Sequence, residues 1–353
     1  MERLLLGACH AFGVVVVLYT MWMLLSSVLL LTLVVVGVMM SCRFVARHLD
    51  SCLPVDGRVV LITGCDTGIG HESAVAAAQR GLTVVAGCLN KDSEGASRLA
   101  AIKRVHVLQL DVTSDDSIQA ALEEVTKLCD DKGLWAVVNN AGFNRQAPVE
   151  LMSMDTFRHV ADVMLFGTVR VTKAFLPLIR QAKGRVVTMS SDRGMMSPAN
   201  SAAYCIAKHG IETFSDVLQE EMTRFDVTVC ILQPGHFGAA TAIINPQAVD
   251  AMRASLERDL QRCTEEVQMT YHGQRTVDDV VQKFVGSKDY SPSDVTPVVH
   301  AVMHALLSTR PAHRYPVHGT TGPVDWGIVL GQIKPLVPDK VLPWIQTLVM
   351  VRK

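Results

Sequence analysis

Thr63-Gly64-Cys65-Asp66-Thr67-Gly68-Ile69-Gly70 follows the apolar run Val59-Val60-Leu61-Ile62 and leads into an alanine-rich stretch. A strand that turns into a helix through a glycine-lined loop leaves backbone N–H groups uncovered at the helix start, where a pyrophosphate can approach. By itself a Gly-x-x-x-Gly-x-Gly triplet also describes a plain tight turn. The surroundings decide between the two. Strand-like runs near 58–63, 83–88, 105–110, 135–139, 184–190 and 227–232 alternate with helix-like runs near 70–80, 92–102, 115–130, 153–181 and 201–224. That rhythm predicts an α/β fold, a Rossmann-type doubly wound parallel sheet with helices on both faces and its ligand site outside the carboxyl ends of the strands.

Three further motifs follow in order. Asn139-Asn140-Ala141-Gly142 closes one strand-like run, Ser191 closes another, and Tyr204-Cys-Ile-Ala-Lys208 lies thirteen residues beyond that Ser. Tyr and Lys four apart on a helix share a face and can act on one proton. Together with the glycine loop, these motifs resemble the short-chain dehydrogenase/reductase family over roughly Pro54 to Pro316.

The resemblance implies hydride transfer between a nicotinamide dinucleotide and a carbinol or carbonyl carbon. Tyr204 would be the general acid/base, Lys208 its cationic partner and a ligand of the nicotinamide ribose, and Ser191 the group that orients the substrate oxygen. A free Tyr titrates near ~10, so bringing it close to neutrality takes about 4 kcal/mol, which Lys208 and the cofactor's charge would supply in a dry cleft. The cofactor would lie against Gly64, Asp66, Gly68, Ile69 and Gly70, with Asn90 at the adenosine ribose. Asp111 and Val112 would meet the adenine, and Asn139, Ala141 and Gly142 would brace the sheet beside it. Pro234, Gly235, Phe237 and Thr241 would hold the carboxamide. Without a motif, Asp111 reads as a helix cap.

No Arg stands at the end of the second strand-like run, and Asp66 puts an acid in the glycine loop. Both favour NAD over NADP, against which only Lys91 argues. One position departs from the family: its usual Asn in the helix after Asn-Asn-Ala-Gly falls on Met164, and a thioether is a poor substitute for an amide. Either the proton relay runs through other groups, or turnover is reduced, or the chain is an NAD-binding relative without full catalysis.

From Leu4 to Cys42 there is no Asp, Glu, Lys or Arg. That length exceeds a signal peptide's apolar region and suffices for a span, which needs ~20 residues, as one tilted helix or as a hairpin. Tyr19 and Trp22 are candidate interfacial aromatics. Arg43, Arg47 and His48 follow the segment, while Glu2 and Arg3 nearly cancel before it, which leans the remainder toward the cytosol. The absence of any Asn-x-Ser/Thr sequon fits. The expected organisation is an anchor over 1–48, a catalytic domain over 54–320 with a pocket-capping insertion at 236–290, and an apolar tail over 321–353. Pro335, Pro338 and Pro343 argue against a second span in that tail.

An anchor beside a dehydrogenase site points to a substrate that partitions into lipid, a hydroxysteroid or retinoid, on an endoplasmic reticulum membrane. The resemblance also touches the family's D-3-hydroxybutyrate branch, whose setting is the mitochondrial membrane. Arg193, two residues after Ser191, is a candidate partner for such a carboxylate. The family also implies a homo-oligomer paired through the helices at 153–181 and 201–224. A formal net charge of −1 without a long basic block gives no reason to expect nucleic acid. Nine dispersed Cys and twelve scattered His show no metal-ligand spacing and read as reduced thiols and isolated side chains, so no metal is expected.

Overall fold

The computed structural model describes residues 2–48, 51–338, 340, 341, 344 and 345. It divides into two units, Met1–Cys52 and Leu53–Lys353. The first is one continuous helix, α1 (Glu2–His48), within which Gly13–Val38 is long and apolar enough to cross a membrane. The hairpin alternative is not what forms. No Gly-Pro or charged interruption breaks the run, so i→i−4 bonding continues through it. The charge asymmetry around the segment rests on Glu2, Arg3, Arg43, Arg47 and His48, whose side chains lie outside the described residues.

In the second unit β1 (Val59–Thr63), β2 (Thr83–Cys88), β3 (Val105–Gln109), β4 (Ala136–Asn139), β5 (Arg185–Met189), β6 (Thr228–Pro234) and β7 (Arg314–Val317) form one parallel sheet in the order β3-β2-β1-β4-β5-β6-β7. The central strands β1, β4 and β5 are buried along their whole length, each built around a Val-rich apolar run with both faces covered. The order reverses between β1 and β4, which opens a crevice at their carboxyl ends.

Helices α2 (Gly68–Gln79), α3 (Glu94–Ala100), α4 (Asp115–Cys129), α5 (Met154–Ala161), α6 (Gly167–Gln181), α7 (Ala202–Thr223), α8 (Pro246–Gln261), α9 (Glu265–Thr270), α10 (Gln274–Gly286), α11 (Thr296–Leu307) and α12 (Trp326–Ile333) complete it. Ala74 and Ala77 of α2 and Val298 and Val302 of α11 fill one face of the sheet. Val125 of α4, Val171 and Phe175 of α6 and Leu218 of α7 fill the other. A third apolar cluster lies at the carboxyl end, where Met252 and Leu256 of α8 and Val280 and Phe284 of α10 pack toward Met164 and Ala207. The stretch 236–290 therefore forms α8 to α10 and a wall of the crevice.

One expected helix is really two. The run at 153–181 divides into α5 and α6 around a π-helical turn, Asp162–Phe166. Such turns insert a residue into the helical ladder and often mark functional positions. Met164 sits in it, fully buried. Of the apolar tail, α12 and a short turn at Lys334–Leu336 are described, while Pro343 and 346–353 lie outside the described residues.

Candidate active site

A cleft of about 810 Å3 opens at the carboxyl ends of the strands, with its floor along the switch point. At one end lies the glycine loop. Gly64 has φ +70, and a Cβ on Gly70 would stand 2.3 Å from the Gly64 carbonyl oxygen and 2.5 Å from Nδ2 of Asn140. The start of α2 follows with no side-chain cap and no acidic residue in its first turn. A twelve-residue helix offering free N–H groups next to a loop without side chains fits a pyrophosphate.

The loop is held in place by two devices. Asp66 accepts hydrogen bonds from the N–H groups of Leu89 and Asn90, at 2.9 and 3.0 Å, so its carboxylate closes the end of β2. Asn140 donates through Nδ2 to the carbonyls of Thr63 and Gly64, while its own N–H and that of Ala141 donate to Oγ1 of Thr63. Asn140 and Thr63, which were not among the expected site residues, thus do the bracing. Their signal was position: each is the residue on which a strand hands over to the cleft.

Gly64, Asp66, Ile69, Asp111, Val112, Ala141 and Gly142 line the cleft, as do Pro234, Gly235, Phe237 and Thr241, and Thr241 stands 3.4 Å from where a Cβ on Gly68 would be. Gly68 and Gly70 support the loop from behind, and Asn90 acts through its backbone bond to Asp66. Asn139 points elsewhere, its Nδ2 donating to Thr172 of α6 at 2.9 Å. Asp111 does not cap α4; Ser114 does. Its Oδ1 instead accepts from the N–H and hydroxyl of Thr113, which stiffens the turn leaving β3.

Ser191, Tyr204 and Lys208 converge on one wall. Ser191 and Lys208 are buried, and Ser191 is hydrogen-bonded to the Tyr204 hydroxyl. Lys208 Nζ donates to the Met189 carbonyl at 2.7 Å and lies 5.6 Å from the Tyr204 ring centre. Burial pushes the Tyr204 phenol up to about 12, opposed by the Ser191 bond and the charge of Arg193 and reinforced by that of Asp192. Burial likewise brings the Lys208 ammonium down to about 8, with Glu212 one turn further along α7 working against it. Lys208 and the nicotinamide's charge together were expected to draw the phenol toward neutrality. In this wall desolvation is the larger influence on both groups, because each loses its water before gaining a full countercharge.

Asp192 was not anticipated. It is buried, and Ser191 Oγ donates to its Oδ1 at 2.8 Å, while Arg193 Nε lies 3.7 Å from that same oxygen. With its one proton shared between Asp192 and the Tyr204 oxygen, the Ser191 hydroxyl keeps its lone pairs for a substrate alcohol. The two neighbouring charges act on Tyr204 with opposite signs. Asp192→Asn should therefore move the acid limb of the pH–rate profile for alcohol oxidation to lower pH, and Arg193→Gln should move it to higher pH. Coincident profiles for the two variants would show that neither charge reaches the phenol.

Met164 lines the cleft, with its Sδ 3.4 Å from where a Cβ on Gly142 would stand. His236 also lines it, its Nε2 within 3.0 Å of the Ser287 carbonyl and its pKa lowered, chiefly by burial. Among the described residues no group of three or more His, Cys, Asp or Glu gathers as a metal ion would require. Cys52, Cys65, Cys88, Cys129, Cys205, Cys230 and Cys263 are free thiols, with Cys88 and Cys230 in the core.

The family model described as short chain dehydrogenase matches residues 58–249. The chain belongs to the short-chain dehydrogenase family. The D-beta-hydroxybutyrate dehydrogenase, mitochondrial, of Bos taurus is 42% identical over 268 residues, covering 74% of this chain and 77% of that one. The estradiol 17-beta-dehydrogenase 2 of Mus musculus is 39% identical over 302 residues, covering 83% and 76%. Retinol dehydrogenase 16 of Homo sapiens is 37% identical over 259 residues, covering 73% and 80%. A solved short chain dehydrogenase from Burkholderia cenocepacia J2315 in complex with NADP shares the fold at a TM-score of 0.60 and 20% identity, over 84% of this chain and all of that one. Another family member, from Burkholderia phymatum in complex with NAD, does so at 0.58 and 20%, over 75% and 90%. This short-chain dehydrogenase is thus an NAD(P)-dependent oxidoreductase acting on CH–OH groups.

Proposed function

We propose that this short-chain dehydrogenase is a membrane-anchored, NAD-dependent enzyme that interconverts a small hydroxy acid of the 3-hydroxybutyrate type and its keto acid. The observation that carries the reading is the position of Arg193. Its guanidinium lines the same cleft as Tyr204, and its charge is felt at Tyr204, Cys205 and His236. A fixed cation within reach of the reacting oxygen suits a substrate that carries a carboxylate. The likeness to hydroxybutyrate dehydrogenases at 40–42% identity supports the same choice over the lipophilic alcohol suggested by the anchor alone.

Pro234, Gly235, Phe237 and Thr241 would hold the nicotinamide, which would supply or accept the hydride. The protein's own part is the proton. Tyr204 takes the hydroxyl proton in oxidation or returns it in reduction, Ser191 holds the substrate oxygen, and Lys208 keeps a positive charge beside the phenol. The Asp66 carboxylate is bonded to the end of β2, where the adenosine ribose would lie, and supports NAD over NADP. Gly13–Val38 supports a single membrane span, on the mitochondrial membrane in this reading. Phe166, Ile206 and Val217 are exposed apolar side chains at α6 and α7 and support pairing of two subunits there.

A second reading, a hydroxysteroid or retinol dehydrogenase of the endoplasmic reticulum with its catalytic domain in the cytosol, is favoured by one observation. The likeness to estradiol 17-beta-dehydrogenase 2 extends over 83% of the chain, further than that to the hydroxybutyrate enzymes. NADH production by detergent-purified protein, compared across D-3-hydroxybutyrate, estradiol, testosterone and retinol, separates the two. Turnover of hydroxybutyrate alone supports the first reading, and turnover of the neutral alcohols alone overturns it. Silence on all four with NADH still bound would point to Met164 and to a binding protein.

A further inference from the structure

Beside the cleft, between α5 and α8, lies a second hollow of about 280 Å3. Its walls hold three guanidiniums and an imidazole: Arg145, Arg258, Arg262 and His159. Two acids share the walls, and both are engaged. Asp155 pairs with Arg262 at 3.0 Å and with Arg158 at 3.4 Å, while the buried Asp259 accepts from Thr156 Oγ1 at 2.8 Å. That leaves Arg145 and Arg258, neither of which has an ion-pair partner among the described residues.

Arg145 is not a loose surface cation. Its guanidinium lies 4.8 Å over the Phe143 ring and donates to the Asn144 carbonyl at 2.9 Å. The His159 ring packs on the same Phe143, with ring centres 5.1 Å apart. Phe143 thus holds a cation and an imidazole in place, and Arg258, exposed on α8, adds its charge at the rim. Burial and the Arg258 charge both hold the Arg145 pKa below its ordinary value. Like charges that a fold keeps close together attract a countercharge, and guanidiniums present paired donors to a carboxylate or phosphate.

We infer that this hollow is a binding site for a small carboxylate- or phosphate-bearing anion. Arg145 and His159 line the catalytic cleft as well. The anion is therefore either the acidic end of a substrate whose hydroxyl reaches Tyr204 or a separate ligand that senses the occupied cleft. The inference does not depend on which alcohol is oxidised, because binding is read without turnover.

Calorimetric titration of the full-length chain in detergent with inorganic phosphate, and with acetate, tests it. The wild type should bind, and Arg258→Gln should weaken that binding about tenfold or more, the loss of a charge-assisted hydrogen bond. Arg258→Lys should retain part of it, and NADH fluorescence titration reports whether each variant is folded. Phosphate that competes with a carboxylate-bearing alcohol identifies the substrate's own end as the occupant; phosphate that binds without raising that alcohol's KM identifies a separate ligand. No binding by the wild type, or equal affinity in folded Arg258→Gln, overturns the site.

Discussion

Tyr204→Phe should lower kcat by about 10²–10⁴-fold, the usual worth of a positioned general acid or base, while NADH binding persists. The substitution removes one oxygen from a half-buried ring and leaves the packing as it is. Lys208 stays in place because its ammonium is held by the Met189 carbonyl and not by the phenol. Ser191 likewise keeps its bond to Asp192. The loss should thus appear in the chemical step and not in cofactor affinity. Steady-state kinetics on the accepted alcohol, together with NADH fluorescence titration, measures both. Unchanged turnover would remove Tyr204 from the mechanism and send the search for a proton carrier to Ser191 and Asp192.

Gly70→Val should abolish measurable NADH binding and destabilise the fold by about 1–3 kcal/mol or more, the range for forcing atoms into a packed interior. A Cβ there meets the Gly64 carbonyl oxygen and the Asn140 amide, and neither can move freely. Asn140 Nδ2 bonds the carbonyls of Thr63 and Gly64 at 2.9 and 3.1 Å, which is what ties the end of β1 to the end of β4. Valine at this position therefore pushes apart the two strands between which the crevice opens. Denaturant unfolding and NADH titration of the purified variant give the two numbers. Wild-type affinity for NADH would mean that the cofactor does not rely on this loop.

The parallel sheet, its strand boundaries and the cleft between β1 and β4 were readable because fully buried strands are written as continuous Val, Ile and Leu runs. The glycine loop was readable because only residues without side chains tolerate such backbone approach. The same local signals did not show the π-helical turn at Asp162–Phe166, because the pattern stays helical on both sides of it despite Gly167 and Pro177. They also pointed to Asn139, where the adjacent Asn140 proved to be the brace: two identical side chains one residue apart leave opposite faces of a strand.

By itself the sequence determined the fold class, the order of the motifs, the long apolar stretch at the amino terminus and the Tyr–Lys spacing, since each depends on composition or on spacing along the chain. Tertiary structure alone decided that Asp192 accepts a hydrogen bond from Ser191, that burial is the largest influence on the Tyr204 phenol, and that Arg145 and Arg258 face one hollow. Arg145 and Arg258 lie on separate elements, and Asp192 and Tyr204 are brought together by the packing of a loop against α7. Charge, hydrogen bonding and desolvation act through space over a few ångströms. Distance along the chain does not report them.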